Sequence, residues 1–487
     1  MLTATIFLPV IGAAVIAFLP RSRPELPRIV ATLTALIAFI VSVVMLVGMD
    51  RGSGDFQFVE RATWVETSLA NFNLQYLVGV DGISAPLIAL TTFLTLLAIL
   101  ISWDIDLRPK EYFAWILLLE VGVLGVFSAL DLLLFFLFWE VELVPMYMLI
   151  SVWGTGRKEY SAFKFLIYTI AGSALMLVGL LALGFSAGTF DVIELQSSVI
   201  RDGIIPVSAM FFLIMAAFAV KLPIVPFHTW LPDAHTDAPT AVSVLLAGVL
   251  LKMGGYGIIR FAVGIFPDVA NRFALLLAVL AGINVLYGAL LVLKQSDLKR
   301  LVAYSSVSQM GYVLLGVAAL GEVGMTGATV QMVSHGFISG LLFALVGFVY
   351  SRTHTREIAD MRGIGKRMPL VAIVFVVAGF GTAGLPALSG FVSELLVFLG
   401  AFDRFRWIVT ATVFGVVLSA AYMLWTIQRV FQGPLMERWE NLTDARHWWE
   451  QVPMAAMVAA MLVLGIYPAI LTDMIAPSVR AITERVT

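Results

Sequence analysis

The chain has 487 residues, of which 60% are hydrophobic and only 13% are charged. Because soluble proteins carry about 25% charged residues, this composition excludes an ordinary soluble protein and predicts a polytopic membrane protein. The net charge of −2 argues against a nucleic-acid partner, and the absence of cysteine excludes disulfides, thiolate zinc sites and iron–sulfur clusters held by this chain.

Fourteen apolar runs, each close to the length of a membrane-spanning helix, follow one another along the chain. The run at 370–400 is too long for one straight span, and "GTAGLPALSG" interrupts it. No segment alternates with a period of two, so a closed β-barrel is excluded. The predicted spans lie at roughly 3–20, 28–48, 83–103, 112–130, 132–152, 162–186, 206–226, 237–259, 270–293, 298–320, 324–350, 370–400, 407–428 and 453–474.

The orientation of these spans follows from the basic residues. Eighteen Lys and Arg residues lie in loops after odd-numbered helices, against nine in the other loops and the C-terminal tail. Because cytoplasmic loops carry the excess of positive charge, the odd-numbered loops are predicted to be cytoplasmic and both termini extracytoplasmic. Of the three remaining cations, Lys164 lies near a helix end and can reach the interface, whereas Lys221 and Lys252 lie deeper.

A weak internal repeat is also present. "IAGSALMLVG" at 170–179 resembles "ISGLLFALVG" at 338–347, and "LPIVPF" at 222–227 resembles "LPALSGF" at 385–391. The pairs Asp131-Leu132 and Asp297-Leu298 open two helices at nearly the same offset. Three matches in one order favour two five-helix units of opposite topology, the inverted-repeat plan of transporters.

Six ionisable side chains fall inside the apolar runs: Glu140, Glu142, Lys221, Lys252, His335 and Glu394. Each costs about 2.5–3.5 kcal/mol at the bilayer centre, so such residues mark ion pathways, buried ion pairs or side chains that reach the interface. A carboxylate beside an amine suits a proton relay, and we expect Glu140 to lie beside Lys221. Glu142 is about 200° further around the helix, so no role is assigned to it.

The stretch "AFAVKLPIVPFHTWLPDAHTDAPTAV" at 217–242 interrupts two apolar helices. Pro223 and Pro226 each lack an N–H and free a carbonyl one turn earlier. Unpaired carbonyls at membrane depth are tolerated only beside protein or water. The prolines therefore predict a break that lets water reach Lys221.

His228, Asp233 and His235 in the same stretch raise the alternative of a metal site. Their spacing fits no common zinc pattern. Pro232 and Pro239 instead favour a short cytoplasmic connector between the two helices.

Six segments resemble the antiporter-like membrane subunits of respiratory complex I, the proton-pumping NADH:quinone oxidoreductase. They are "FWEVELVPMYML", "VKLPIVPFHTWLPDAH", "LKMGGYGIIR", "KRLVAYSSVSQMGYV", "QMVSHGFISG" and "LPALSGFVSELLVF". Within this family the glutamate in "GFVSELLVFLGAF" resembles one branch. A second branch has lysine there and a long C-terminal lateral helix, which this chain lacks.

The resemblance implies an all-α polytopic membrane fold of about 14 transmembrane helices, with helices 4–8 and 9–13 as inverted five-helix repeats and helices 7 and 12 broken. The corresponding division is 1–111 for helices 1–3 with an extracytoplasmic loop, 112–260 for the first repeat, 261–430 for the second repeat, and 431–487 for a C-terminal loop and helix 14.

The resemblance also implies residue roles. Glu140 resembles the glutamate that tunes the lysine of helix 7, Lys221, and Lys252 resembles the connecting lysine of helix 8. His335 and Glu394 resemble the outer proton half-channel. His228 resembles a relay group beside the broken helix.

The function expected from this resemblance is proton translocation driven by electron transfer in other subunits. The chain would then belong to an enzyme complex but hold no redox site, cofactor or metal itself. NAD, FMN, iron–sulfur clusters and quinone are expected in partner subunits, and the neighbouring antiporter-like subunits L and N are the expected partners. The alternatives are a subunit of a Na⁺/H⁺ antiporter or membrane-bound hydrogenase, and a purely structural scaffold.

Overall fold

A computed structural model of the chain describes residues 1–66, 73–198 and 200–486. These regions contain twenty α-helices and one two-stranded sheet. The strands are β1 Gln57–Glu66 and β2 Asn73–Val80. The helices are α1 Leu2–Phe18, α2 Glu25–Val47, α3 Ser84–Ile101, α4 Pro109–Ser128, α5 Leu132–Val141, α6 Leu143–Trp153, α7 Lys158–Ala187, α8 Val192–Ser197, α9 Val207–Lys221, α10 Trp230–Asp237, α11 Thr240–Leu245, α12 Leu251–Gly257, α13 Pro267–Arg272, α14 Ala274–Val292, α15 Leu298–Ala318, α16 Glu322–Thr353, α17 Pro369–Thr382, α18 Ser389–Phe431, α19 Trp448–Ile466 and α20 Ala469–Thr483.

The predicted polytopic helical class is confirmed. In the described regions, 11 helical stretches are long and apolar enough to cross a membrane, and α1, α9 and α17 are shorter apolar helices. The 43-residue α18 is kinked at Phe405, whose backbone leaves the helical region. This helix therefore joins two stretches that the hydropathy pattern predicts as separate spans. The count of about 14 and the repeat boundaries stay predictions.

One hairpin adds a β element to the predicted all-helical fold. The strands β1 and β2 pair antiparallel, and the register shifts twice along the pair. These irregularities disrupt the period of two by which a strand is recognised in a sequence. Glu60 of β1 accepts hydrogen bonds from the N-terminal ammonium group at 2.7 Å and from the Leu2 N–H at 2.9 Å. The hairpin is thus tied to the start of α1.

A small hydrogen-bonded bridge occurs twice in the fold. Asp131 pairs with Asp191, and Asp297 pairs with Glu357, so each residue of the second bridge lies 166 positions after its counterpart. Asp131 also caps α5, and Asp297 caps α15, through their side chains. This recurrence supports the inverted-repeat prediction at the offset that the sequence suggests.

The most deeply buried helices carry ionisable residues. Within the most apolar window of the stretch Thr240–Val263, every residue is buried, whereas only a third is buried in α2. The central stretch contains two π-helical segments, Leu246–Leu250 and Ile258–Val263. Lys252 lies between them, and the equally central α16 carries His335. These side chains therefore face protein rather than lipid.

The segment after Lys221 is a buried helix rather than the short connector that was expected, and its cytoplasmic placement stays a prediction. The chain does break there, between the end of α9 at Lys221 and the start of α10 at Trp230. However, α10 is a buried half-helix, and Trp230 and His235 are fully buried. The apolar residues Trp230, Leu231 and Ala234 explain why this segment packs inside, because they share the short helix with its polar groups.

Candidate functional site

The lysine–glutamate site, Glu142 and Lys221, lies at the first break. Lys221 ends α9 and forms a hydrogen-bonded ion pair with Glu142, and both side chains are at most 1% exposed. The Lys221 ammonium also lies 5.3 Å from the ring centre of Trp139 and 5.4 Å from that of Phe165. An ion pair and two aromatic faces therefore replace the water that an isolated ammonium would need.

The expected pairing of Glu140 with Lys221 is wrong, because Glu142 is the carboxylate that contacts the lysine. The buried residues Phe135, Phe138 and Trp139 recur three to four positions apart, and Glu142 continues that face. Glu140 lies about 200° away and is half-buried. Its Oε1 atom is buried without a hydrogen-bond partner among the described residues.

The neighbouring helix α4 packs closely against the backbone of Glu142. An added Cβ at Gly122 would lie 2.9 Å from the backbone nitrogen of Glu142, so only glycine allows this close approach. Glu120, two residues earlier, is 1% exposed, and neither carboxylate oxygen has a partner among the described residues. Sequence reasoning missed Glu120, although a lone acid in "WILLLEVGVLGVFS" is itself a signal.

Side chains from other elements satisfy the backbone at the first break. Asn284 of α14 donates to the Pro223 carbonyl at 3.0 Å and accepts from the Val225 N–H at 2.7 Å. The Trp230 indole donates to the Val220 carbonyl at 2.9 Å. The break is therefore paired by protein groups, as membrane depth requires.

The lysine–histidine site, Lys252 and His335, lies in the centre. The Lys252 Nζ atom is 2.8 Å from His335 Nδ1, and it also donates to the Ala247 carbonyl of its own helix. The π-helical segment before Lys252 displaces backbone carbonyls from the regular ladder, which accounts for this bond five residues back. An ammonium that donates to Nδ1 requires a neutral imidazole with its proton on Nε2.

The three residues of the alternative metal site have separate partners. Asp233 pairs with Lys164 at 2.7 Å and with Arg300 at 3.4 Å. His228 lies edge-on to Tyr287, with 5.8 Å between ring centres, and is not in the lysine–glutamate site. His235 stacks flat on Phe343, with 4.4 Å between ring centres.

His235 is a further ionisable group that sequence reasoning did not place in a proton route. It is fully buried, and neither ring nitrogen has a hydrogen-bond partner among the described residues. It lies within electrostatic reach of both Lys252 and Lys299. Its position depends on how α10 packs against α15 and α16, so spacing along the chain could not reveal it.

Side-chain amides connect α16, the helix that carries His335, with the second broken helix. Gln331 donates to Gln309 at 2.6 Å, and Gln309 donates to the Thr382 carbonyl, where α17 ends, at 3.2 Å. A small cavity lined by His335, Ser339, Gln309 and Thr382 has a volume of about 10 Å³ for water-sized probes. That is close to the space that one water molecule needs.

The outer site, Glu394 with Gln309, Tyr312 and Tyr422, lies next to this cavity. Glu394 is 3% exposed, hydrogen-bonds with Gln309 and has no ion-pair partner among the described residues. The hydroxyls of Tyr312 and Tyr422 are buried without partners there. An added Cβ at Gly384 would meet Glu394 Oε2 at 2.6 Å, and the φ of +68° also favours glycine.

Buried acids, amines and imidazoles beside two broken helices define a class of proteins that move ions or protons across membranes. The model of the NADH:quinone oxidoreductase/Mrp antiporter transmembrane family matches residues 129–419. The chain belongs to this family.

Whole-length relatives agree with this assignment. NADH-quinone oxidoreductase subunit M of Rhodobacter capsulatus is 43% identical, covering 99% of this chain and 96% of the relative. NAD(P)H-quinone oxidoreductase chain 4 of Gloeobacter violaceus is 40% identical over 99% of this chain and 92% of its own length.

Two solved structures have the same fold. A chain of respiratory complex I from Thermus thermophilus with bound NADH has a TM-score of 0.90 at 28% identity, with complete coverage of both chains. A chain of the Mrp complex from Dietzia sp. has a TM-score of 0.86 at 22% identity, covering 99% of this chain and 98% of that chain. At that identity, the Mrp likeness shows the fold alone.

Proposed function

We propose that the chain is a proton-translocating membrane subunit of an NADH:quinone oxidoreductase, driven by electron transfer in other subunits. The full-length identity of 43% to a subunit M supports this assignment. The buried ion pair of Lys221 with Glu142 is the single structural observation that carries the mechanism, because a simple scaffold has no need of paired charges at a helix break.

The ion pair can act as a proton switch. While Glu142 touches Lys221, the ammonium is stabilised and keeps its proton. Separation of the two groups leaves the ammonium in an apolar setting, where the neutral amine is favoured and the proton leaves. The aromatic walls of Trp139 and Phe165 keep bulk water from taking over the role of the carboxylate. The carboxylate distance therefore controls the proton of Lys221.

Lys252 and His335 continue the route at the centre of the fold. The ammonium of Lys252 can give a proton to the lone pair of His335 Nδ1 across 2.8 Å. From Nε2 of His335 the proton passes to water in the small cavity beside Gln309. Gln309 orients that water towards Glu394, which takes up the proton at the outer site. His228 would act as a relay near Lys164, outside this line.

The cellular setting completes the proposal. The excess of basic residues in odd-numbered loops supports a multi-pass protein of a bacterial inner membrane with both termini extracytoplasmic. The neighbours would be the antiporter-like subunits L and N. NAD, FMN, iron–sulfur clusters and quinone would be bound by partner subunits. The fold is shared with Mrp and with a sulfane sulfur reductase complex, but 22% identity in each case adds no functional support for those alternatives.

The test uses the whole complex in sealed vesicles. Proton uptake is measured with a pH-sensitive dye during NADH oxidation, in the wild type and in Lys221→Ala. We expect an assembled complex with proton uptake reduced about tenfold or more, as for the loss of a proton-transfer group. Arg272→Gln serves as a matched control, because Arg272 is an exposed cation at the end of α13. Wild-type uptake in Lys221→Ala would overturn the proposed function.

A further inference from the structure

A polar cavity lies at the end of the fold that is predicted to be cytoplasmic. Its volume is about 70 Å³. A single water needs roughly 10–15 Å³ by this measure, so several fit. Thr155, Thr240, Tyr350, Arg356 and Lys299 supply its polar wall. Thr155 and Arg356 come from loops whose basic residues predict the cytoplasmic side.

Lys299 is the only buried amine on this cavity among the described residues. It is 5% exposed, and its ammonium donates to the Ala238 carbonyl. Arg356 on the same wall is already bound to Asp297 at 3.2 Å. Asp237, a second carboxylate near Lys299, accepts from Ser161 at 2.5 Å. In contrast with Lys221, no carboxylate in the described regions is within ion-pair distance of Lys299.

His235 is the next ionisable group inward from Lys299. It lies on α10, three residues before Ala238, whose carbonyl accepts from Lys299. Both of its ring nitrogens are buried without partners, so they have capacity for a proton or a water molecule. The ring lies within electrostatic reach of both Lys299 and Lys252. The unpaired imidazole thus links the cavity with the lysine–histidine site.

We propose that Lys299 is the cytoplasmic entrance of the proton route and that His235 relays the proton from Lys299 to Lys252. A proton that arrives from the cytoplasm as a hydronium ion in the cavity passes to the neutral amine of Lys299 and leaves water behind. The resulting ammonium gives a proton to the lone pair of the His235 imidazole, directly or through one water. His235 then releases a proton towards Lys252, and each group returns to its starting state. The inference rests on the proposed function.

The alternative is that Lys299 only ties α15 to the end of α10 through the Ala238 carbonyl. Arginine separates the two roles. It keeps the positive charge and the N–H donors, but it does not release a proton under any physiological condition. A tether would therefore tolerate Lys299→Arg, whereas a proton carrier would not.

The first experiment measures proton uptake during NADH oxidation by the intact complex in sealed vesicles. We expect Lys299→Met and Lys299→Arg to lower the rate of proton uptake about tenfold or more. Lys294→Met is the matched control, because Lys294 lies in the loop just before α15 and does not line the cavity. Assembly is checked on native gels. Wild-type uptake by Lys299→Arg would overturn the proposal and leave Lys299 a tether.

The second experiment restores the amine chemically. The chain has no cysteine, so Lys299→Cys introduces the one thiol of this subunit. With 2-bromoethylamine the thiolate forms a carbon–sulfur bond and displaces bromide, which produces a lysine analogue. Iodoethane produces a side chain without the amine. We expect aminoethylation to restore at least half of the proton uptake and ethylation to restore none. Equal recovery with both reagents, or none with either, would overturn the proposal.

The outcomes also separate this inference from the proposed function. If Lys221→Ala abolishes proton uptake while Lys299→Met retains it, only the entrance is wrong. If Lys221→Ala retains proton uptake, the proposed function itself fails. Should Lys299→Met not assemble, Lys299→Arg and the chemically treated Lys299→Cys carry the test, because both keep a donor for the Ala238 carbonyl.

Discussion

The lysine–glutamate site and the outer site each bury an ionisable side chain, but they surround it with different groups. Both lie beside a broken helix, and both hold a side chain that is at most 3% exposed. Lys221 has a carboxylate partner and two aromatic faces. Glu394 has amide and hydroxyl neighbours and no cation within ion-pair distance in the described regions.

The different neighbours of Lys221 and Glu394 determine which charge state each site stabilises. A charged amine is stable at the lysine–glutamate site only while its counter-ion is present, so that site is controlled by a distance. A carboxyl group at the outer site can lie protonated and neutral among hydroxyls at low cost. The first site is suited to a switch, and the second to temporary storage of a proton.

The backbone carbonyls at the two breaks are hydrogen-bonded in the same way. Asn284 of α14 donates to the Pro223 carbonyl at the first break. Gln309 of α15 donates to the Thr382 carbonyl at the second. A side-chain amide from a nearby helix therefore serves each break, and the contrast between the sites comes from their charges.

The largest effect is expected from a substitution that breaks the lysine–glutamate ion pair. Glu142→Gln leaves Lys221 buried without a counter-ion, a change that costs about 3–5 kcal/mol in other buried pairs. We expect proton uptake by vesicles to fall about tenfold or more, with partial recovery in Glu142→Asp. Glu140→Gln is the control, since Glu140 faces elsewhere, and it should have a smaller effect. A larger loss in Glu140→Gln than in Glu142→Gln would contradict the geometry of this site.

The next prediction tests the storage role of Glu394. Glu394→Ala removes the protonatable group and should abolish most proton uptake. Because no cation pairs with Glu394 in the described regions, Glu394→Lys places no two cations together and should retain part of the uptake. Side-by-side measurement of proton uptake per NADH oxidised checks both variants. If the lysine variant were worse than alanine, Glu394 would instead be half of a fixed ion pair.

The sequence predicted the spans well because the bilayer imposes a strong physical constraint on them. Apolar runs of sufficient length located the helices, and Pro223 and Pro226 located the first break, since proline cannot complete the helical ladder. The kink of α18 at Phe405 lies in the gap that the sequence predicts between the spans 370–400 and 407–428, but "FDRFRWIV" has no proline or glycine, and the continuation of one helix through this gap was not predicted. The hairpin was not predicted, because its register shifts obscure the alternation of polar and apolar residues.

The candidate site was predicted only in part, because partners are a tertiary property. Lys221, Lys252, His335 and Glu394 stand out as ionisable groups in apolar helices. The choice of Glu140 over Glu142 was wrong, although the spacing of the buried aromatic residues on α5 favoured Glu142. The pairing of Lys252 with His335 joins residues 83 positions apart, and nothing local in the sequence indicates it.

A smaller effect is expected when the packing behind the lysine–glutamate site is changed. Gly122→Ala places a methyl group 2.9 Å from the Glu142 backbone, and such overpacking typically costs about 1–3 kcal/mol. We expect a lower unfolding midpoint and a several-fold loss of proton uptake. Gly321→Ala is the control, because no atom lies within 4 Å of its added Cβ. Equal behaviour of the two variants would show that α4 does not position Glu142.

The smallest expected effect concerns Asp131, the aspartate that caps α5. Burial raises the pKa of Asp131 from 3.8 to about 6, although the N–H groups of Leu133 and Leu134 partly oppose this. The folded state therefore binds the proton of the Asp131 carboxyl group more tightly than the unfolded chain does. Its contribution to stability is present at pH 4 and is lost as the pH rises through about 6.

Asp131→Asn keeps an N-capping oxygen but cannot titrate. Between pH 4 and pH 6, we expect the unfolding midpoint of the purified complex to fall less in this variant than in the wild type. Proton uptake at neutral pH should change little. A pH dependence in Asp131→Asn as steep as in the wild type would contradict this contribution of Asp131.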